Sequence, residues 1–323
     1  MPRGNPKIRV QVIIAFGLVY VLWGSTYLGI GIAVEHLPSV VMAAVRFTIA
    51  GAALLLWCAL RGRRVRLRMH EFLRLTVIGV LLLSISNVLV GISETYIPTG
   101  LTSLLLAITP LWFLLLERLS SRGERIGRRG LAGILLGLCG VVVLMWPALS
   151  AGLHLGRREL AGAGFVLLAS VSWAGGSIVS KRWHLGVDSY SASGWQMLMA
   201  GVVNCLVALL LGSFKQASWT RPAVLAVGYL IVAGSWIGFT AYVWLLHNVS
   251  TSKVATYAYV NPIVAVFLGW LVLHERITPY ILAGSVIVVV SVILVTGAKH
   301  APPPCTVPEP EPVATLATES ASD

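Results

Sequence analysis

The residues able to do chemistry are few in this sequence, and most stand where a chain changes direction. Among 323 residues there are 12 Asp and Glu, 7 His and 4 Cys. Asp188 and Asp323 are the only aspartates and are far apart, so the paired aspartates that hold a magnesium diphosphate are absent. No H-E-x-x-H zinc site and no Walker-type phosphate loop occurs. An intramembrane serine protease needs a buried Ser–His pair, yet the histidines (36, 70, 154, 184, 247, 274 and 300) fall at the ends of apolar runs or outside them. Cys58, Cys139 and Cys205 sit within apolar runs and Cys305 in the tail, with no metal or disulfide spacing. An enzyme is not expected, and neither is a metal or cofactor.

What remains is a short set of polar groups inside apolar surroundings, where each is costly. Arg46 is the one cation well inside an apolar run. It lies eight residues past Pro38, about 12 Å in if helical. An arginine at that depth costs about 2.5–3.5 kcal/mol on insertion scales. It reads either as a clamp for a substrate carboxylate or, with more weight, as a structural ion pair or a link to helix carbonyls. Glu94 closes an apolar run and reads as a proton site, an Arg46 partner or, with more weight, a solvated helix end. Glu117, beside Arg118, suits interfacial pairing. Glu124 and Glu275 precede helices, where a carboxylate favours the positive end of the helix dipole. With His247, also at a run's end, these are the candidate charge or proton sites: Arg46, Glu94 and His247. No carboxylate lies near the middle of an apolar run, so strong proton coupling is unsupported.

The elements that must carry these groups follow from composition. The chain is 57% hydrophobic and 11% charged, with mean hydropathy +0.86. Soluble chains carry about 25% charged residues, so lipid must cover much of this surface. Ten apolar runs are long enough to span a bilayer: 11–33, 38–60, 72–94, 98–117, 130–147, 160–180, 189–212, 222–246, 252–273 and 279–297. The first follows Arg3, Lys7 and Arg9 but continues through Trp23 and Tyr27 with no cleavage pattern, so it reads as an uncleaved span. Residues 298–323, rich in Pro and with no apolar period, read as a disordered tail.

The net charge of +12 resembles that of a nucleic-acid binder, but its placement is that of a membrane protein. With a cytoplasmic N-terminus, eighteen of the 24 Lys and Arg fall in inside segments, and only Arg157, Arg158, Lys215, Arg221 and Arg276 fall outside. Basic bias in short loops sets orientation, which puts both termini in the cytoplasm. No nucleic acid is expected as a partner; the lipid bilayer is.

The two halves repeat. Val21-Leu22-Trp23-Gly24-Ser25 returns 150 positions later as Val171-Ser172-Trp173-Ala174-Gly175, and Ala50-Gly51 returns as Ala200-Gly201. Ile108-Thr109-Pro110 corresponds to Val260-Asn261-Pro262. Glu124-Arg125-Ile126 and Leu131-Ala132-Gly133 correspond to Glu275-Arg276-Ile277 and Leu282-Ala283-Gly284. Five spans per half is an odd number, so the second half enters from the opposite face: an inverted repeat, which suits alternating access around a central site. Pro110 and Pro262 each free an upstream carbonyl inside a span, and interrupted helices mark transporter sites; Thr109 and Asn261 sit beside them. Trp23 and Trp173, repeat-matched and mid-span, suit a cavity wall. Tyr257 and Tyr259 suit a wall or an interface, and Ser25, Asn87 and Ser177 suit a cavity or helix–helix hydrogen bonds. Gly24, Gly29, Gly31, Gly133, Gly137 and Gly140 allow close packing, and Gly133 to Gly137 is a G-x-x-x-G, open to internal packing or dimerisation.

These same stretches, with Tyr257-Ala258-Tyr259-Val260-Asn261-Pro262-Ile263-Val264-Ala265-Val266 and Ser170-Val171-Ser172-Trp173-Ala174-Gly175-Gly176-Ser177, resemble the EamA domain of the drug/metabolite transporter superfamily, in particular its YedA-type bacterial inner-membrane members. The resemblance covers residues 10–297. It implies an all-α membrane fold of ten helices: a first repeat over 11–147, a loop at 148–159 and a second repeat over 160–297, between a short N-terminus (1–10) and the tail (298–323). It implies that spans 1, 3, 4, 6, 8 and 9 surround a central cavity and that spans 5 and 10 are peripheral, where some members dimerise. It also implies export of amino acids, related metabolites or toxic compounds. Monomer and homodimer both stay open, as do coupled export and uncoupled facilitation or exchange, with a sensor as the reading from another class.

Overall fold

The computed structural model describes residues 6–97, 99–119, 127–144, 146, 150, 157–183, 185–273 and 279–297. The two Glu-Arg repeats, at Glu124 and Glu275, and the tail lie outside the described residues. Among the described residues every regular element is helical. The first repeat holds α1 (Pro6–Val34), α2 (Ser39–Leu60), α3 (Met69–Ser93), α4 (Thr99–Leu106), α5 (Thr109–Arg118) and α6 (Arg128–Leu144). The second holds α7 (Arg157–Arg182), α8 (Ser189–Leu210), α9 (Arg221–Asn248), the single turn α10 (Thr251–Val254), α11 (Tyr257–Leu273) and α12 (Pro279–Gly297). Six of these, α1, α2, α3, α7, α8 and α9, are long and apolar enough to cross a bilayer by length and composition.

Side-chain chemistry sets several helix ends. Asp188 caps α8, its Oδ1 accepting from Tyr190 N at 3.0 Å and Ser191 N at 3.4 Å, and the Thr220 hydroxyl caps α9 ahead of Pro222. Glu71 takes the Arg68 backbone N–H at 2.7 Å and the Arg64 guanidinium at 2.7 Å, fixing the start of α3. Where the chain reverses after α2 and α8, Gly62 and Gly212 take φ of 66° and 64°, a conformation that L side chains rarely adopt.

Two helix pairs make the closest contacts in the fold. In α2 against α8, a Cβ on Gly51 would fall 2.4 Å from Leu198 N, and one on Gly201 would fall 2.4 Å from Thr48 N. The contact is reciprocal: Thr48 and Leu198 are 150 positions apart, as are Gly51 and Gly201. In α6 against α12, Gly133 meets Val295, Gly137 meets Ser291, and Ser291 Oγ donates to Gly133 O at 2.7 Å. The G-x-x-x-G face is therefore occupied inside the chain. Neighbour relations match across the halves as well: α1 packs on α9 and α11, while α7 packs on α3, α4 and α5.

Two long helices share an irregularity. Val80–Ile85 in α3 and Leu230–Phe239 in α9 are π-helical, and they too begin 150 positions apart. The break before Pro110 separates α4 from α5, with Pro110 in the first turn of α5. Pro262, by contrast, lies inside the continuous helix α11, whose chain irregularity falls earlier, between α10 and Tyr257.

Gly51→Ala and Gly201→Ala should each lower the melting temperature of the purified protein. Overpacking of this kind costs about 1–3 kcal/mol. An unchanged melting curve for both would show that α2 and α8 can separate freely.

Candidate functional site

A cavity of about 90 Å³ lies between α1, α2, α3, α7, α9 and α11, with Leu106 of α4 at its edge. Its wall is aromatic. Trp23 meets Trp173 edge-on at 5.3 Å between ring centroids, Tyr257 edge-on at 5.1 Å and Tyr242 at 4.9 Å. Tyr242 closes the cluster against Trp173 at 5.2 Å. Each indole N–H in the cluster is satisfied: Trp23 Nε1 donates to Gly234 O at 3.1 Å and Trp173 Nε1 to Tyr242 Oη at 3.0 Å. Ser177 hydrogen-bonds the same hydroxyl and donates to Trp173 O at 2.7 Å. Rings held this way form a rigid wall with little rotamer entropy left to lose.

The π-helical stretch of α9 makes room for two of these side chains. A Cβ on Gly238 would fall 2.6 Å from Trp23 Nε1, and one on Gly234 would fall 2.8 Å from Arg46 Nη2. Arg46 itself is 5% exposed. Its Nε donates to Ser235 Oγ at 2.7 Å, and its guanidinium carbon lies 4.8 Å from the Phe47 ring centroid. Nη1 is buried with no hydrogen-bond partner, and among the described residues no carboxylate forms an ion pair with Arg46. Of the two structural roles read from sequence, an ion pair or a link to helix carbonyls, the ion pair is thus not seen among the described residues. Arg46 lines the cavity, although the resemblance did not count its span among those that do.

A second unmatched group lies near Tyr27, one turn along α1 from Trp23. Both carboxylate oxygens of Glu94 are buried and without a partner, in place of the solvated helix end expected. Asn261, which lines the cavity with Tyr27, likewise has its Oδ1 buried without a partner. Asn87 donates to Leu82 O at 3.0 Å, one of the carbonyls of the α3 π stretch, and lines the cavity from there. Thr109 Oγ1 donates to Leu106 O at 2.5 Å, filling a carbonyl that Pro110 leaves open. Pro262 has the same effect on Ala258, a residue of the cavity wall.

The structure therefore gathers Trp23, Arg46, Asn87, Trp173, Tyr257 and Asn261 at one cavity. Ser177 supports it through Tyr242, and Thr109, Pro110 and Pro262 act on its backbone. Ser25 lies elsewhere, hydrogen-bonded to Tyr229 and to Leu22 O. Tyr259 points away, donating to Ile134 O of α6 at 3.0 Å. His247 packs near Ser180 O at 3.4 Å, and Glu117 pairs with Arg182 at 3.3 Å and accepts from Thr251 at 3.3 Å. Sequence reasoning passed over Thr26, Tyr27, Ser235 and Tyr242. For Tyr27 the signal was its i+4 spacing from Trp23; for Ser235 it was the Gly-Ser-Trp-Ile-Gly stretch at 234–238.

The cavity lies inside a bundle of apolar helices, and comparison with known proteins gives the chain a family. The profile of the EamA-like transporter family matches residues 11–146 and 160–297. The chain belongs to the EamA-like transporter family. It is similar to the "Uncharacterized inner membrane transporter YedA" of Escherichia coli, 36% identical over 294 residues that cover 90% of this chain and 93% of the relative. It is also similar to two Bacillus subtilis proteins. These are the "Uncharacterized transporter YvbV", 28% identical over 92% of this chain and 94% of the relative, and the "Uncharacterized transporter YoaV", 23% identical over 86% and 94%. A solved structure described as "Crystal structure of protein" shares the fold at TM-score 0.74 and 20% identity, covering 88% of this chain and 96% of that one. The EamA protein is a multi-pass inner-membrane transporter and not an enzyme.

Arg46→Met should leave the ligand-free protein as stable as the parent, or more so, because an apolar side chain of similar volume removes a buried charge that the protein does not neutralise. A fall of many degrees in melting temperature would mark Arg46 as a structural strut instead.

Proposed function

We propose that this protein is a secondary transporter that exports amino acids, related small metabolites or amphipathic drugs by alternating access. Its ten spans form two inverted five-helix repeats with both termini cytoplasmic. The reading rests most on one observation: a buried aromatic cavity holding a guanidinium whose Nη1 no protein group uses. A donor left open in low dielectric calls for an anionic or strongly accepting group on the solute. The rings of Trp23, Trp173 and Tyr257 suit an apolar or aromatic body. One cation is too few for a nucleotide or sugar phosphate, so zwitterionic and amphipathic solutes fit best.

The inverted repeat draws support from three features that recur 150 positions apart: the Gly51 and Gly201 contacts, the paired π-helical stretches and the Trp23 and Trp173 positions. Both π stretches border the cavity, and such irregular turns concentrate at functional sites. With the G-x-x-x-G face taken up by α12, a monomer in the bilayer is the simplest assembly.

A second reading keeps the same site without coupling, as a facilitator or exchanger. The buried carboxylate of Glu94 favours coupling over that reading, because such a group within a span is a proton-relay candidate. Trp23→Ala, Trp173→Ala and Asn261→Ala should each cut efflux from proteoliposomes loaded with labelled amino acids and amphipathic drugs at least tenfold (about 1.4 kcal/mol) while inserting normally. Parental rates in all three would sink the cavity assignment. In the same vesicles, efflux that responds to an imposed pH gradient, and loses the response in Glu94→Gln, supports the coupled exporter. Efflux indifferent to the gradient supports the facilitator.

A further inference from the structure

A second crevice, separate from the first cavity, lies on the outside of the bundle between α1, α2, α8 and α9 and has a volume of about 540 Å³. Its walls are almost wholly apolar: Ile14 and Leu18 of α1, Leu54 of α2, and Val232, Ile237 and Ala241 of α9. Several of them are open to the surroundings, with Ile14 56% exposed and Val232 48%, so in a membrane the crevice faces the acyl chains.

One end is different. Trp57 and Tyr190 line it with ring centroids 5.4 Å apart, and two guanidinium groups sit over these rings. Arg63 lies 4.5 Å from the Tyr190 centroid and 5.4 Å from Trp57, and Arg61 lies 5.8 Å from Trp57. Asp188 neutralises one of them, pairing with Arg63 at 3.2 Å, which leaves a net positive lip. Between lip and tail, Thr240 also lines the crevice, 7% exposed, and its hydroxyl has no hydrogen-bond partner.

The order of chemistry is cation, then aromatic belt, then a free hydroxyl donor, then a long apolar wall. It matches, group for group, a phosphate, an interfacial glycerol, an ester carbonyl and an acyl chain. We infer that this crevice is a binding site for one anionic phospholipid. Its phosphate is held at Arg61 and Arg63, its ester carbonyl accepts from Thr240, and its chain lies between α1 and α9. A basic lip between transmembrane helices is how anionic headgroups are chosen over zwitterionic ones. The lipid would then wedge against the face of α9 opposite the cavity, at the π-helical stretch that positions Trp23 and Arg46.

Native mass spectrometry of the full chain tests this, with phosphatidylglycerol or phosphatidylcholine of matched chains titrated into detergent. Phosphatidylglycerol should be retained in one copy with about fivefold preference, the effect of the one net surface cation that the Arg63–Asp188 pair leaves. Arg61→Gln with Arg63→Gln should abolish the preference, and Ala241→Trp, which fills the crevice, should displace the lipid. The double variant Arg128→Gln with Arg129→Gln, at an exposed basic site elsewhere, should leave the preference intact. Equal retention of both lipids would overturn the site. So would loss of the preference in the Arg128/Arg129 control, or full retention in Ala241→Trp. If Ala241→Trp does not fold, the Arg61/Arg63 variant alone decides, since both side chains lie on the surface.

Discussion

The rest of the structure depends on how closely α2 and α8 can approach. Lipid tails are as apolar as leucine, so no hydrophobic force drives two helices together inside a bilayer. Close packing and interhelical polar contacts must do it. Gly51 and Gly201 bring backbone against backbone, each lying where any Cβ would strike the other helix. Gly79, against Gln196 O, extends the same close packing to α3. With these helices locked, Arg46 of α2 is held at one depth, and α3 and α9 are held around it. A looser pair would leave the guanidinium free to move toward an interface and escape burial.

That placement explains why the irregular helices are where they are. A regular helix satisfies its own backbone and presents a ridged surface. The π-helical stretches of α3 and α9 widen the turn at the level of the cavity, and each is then matched by a specific group. Asn87 serves the Leu82 carbonyl in α3, and the Trp23 indole serves the Gly234 carbonyl in α9. Glycine at 234 and 238 leaves the space that Arg46 and Trp23 fill. The π-helical backbone, small residues and buried polar side chains are one arrangement here, and changing any of them disturbs the other two.

Much of this was legible in the sequence, and what was missed shares a cause. Six of the ten spans read from the sequence appear as helices of spanning length among the described residues, legible because bilayer thickness dictates their length, and the repeat was legible because small and aromatic residues recur at fixed separation. The aromatic wall was legible in part: Trp23 and Trp173 are repeat mates, and their partner Tyr242 stands outside the repeated motif. For Arg46 the depth was readable and the surroundings were not. Ser235 is 189 positions away and meets it only because α9 changes helical form there, and the sequence pattern carries no sign of a π turn. Glu94 failed for the same reason: a position at a span end says how far along the helix a carboxylate lies, not what covers it. Pro110 and Pro262 look equivalent in sequence, yet one separates two helices and the other sits within one. A proline marks a lost donor, and the neighbouring packing decides whether the helix breaks.

The unmatched polar groups set the terms on which the cavity can exist. Arg46 Nη1, the Asn261 Oδ1 and both Glu94 oxygens are buried without protein partners, and each such group costs about 1–3 kcal/mol, more when charged. A fold selected for stability alone would pair Arg46 with Glu94 or replace both with apolar residues. Holding a donor and several acceptors apart instead keeps the site costly when empty and favourable when a solute of matching polarity fills it. On the alternating-access cycle proposed above, that difference ties the movement of the helices to the presence of cargo, because an occupied cavity passes through a closed, dry state that the empty one resists. On the same proposal the ring cluster around Trp23 selects for shape and the open N–H of Arg46 for polarity, so one arrangement of side chains serves both recognition and motion.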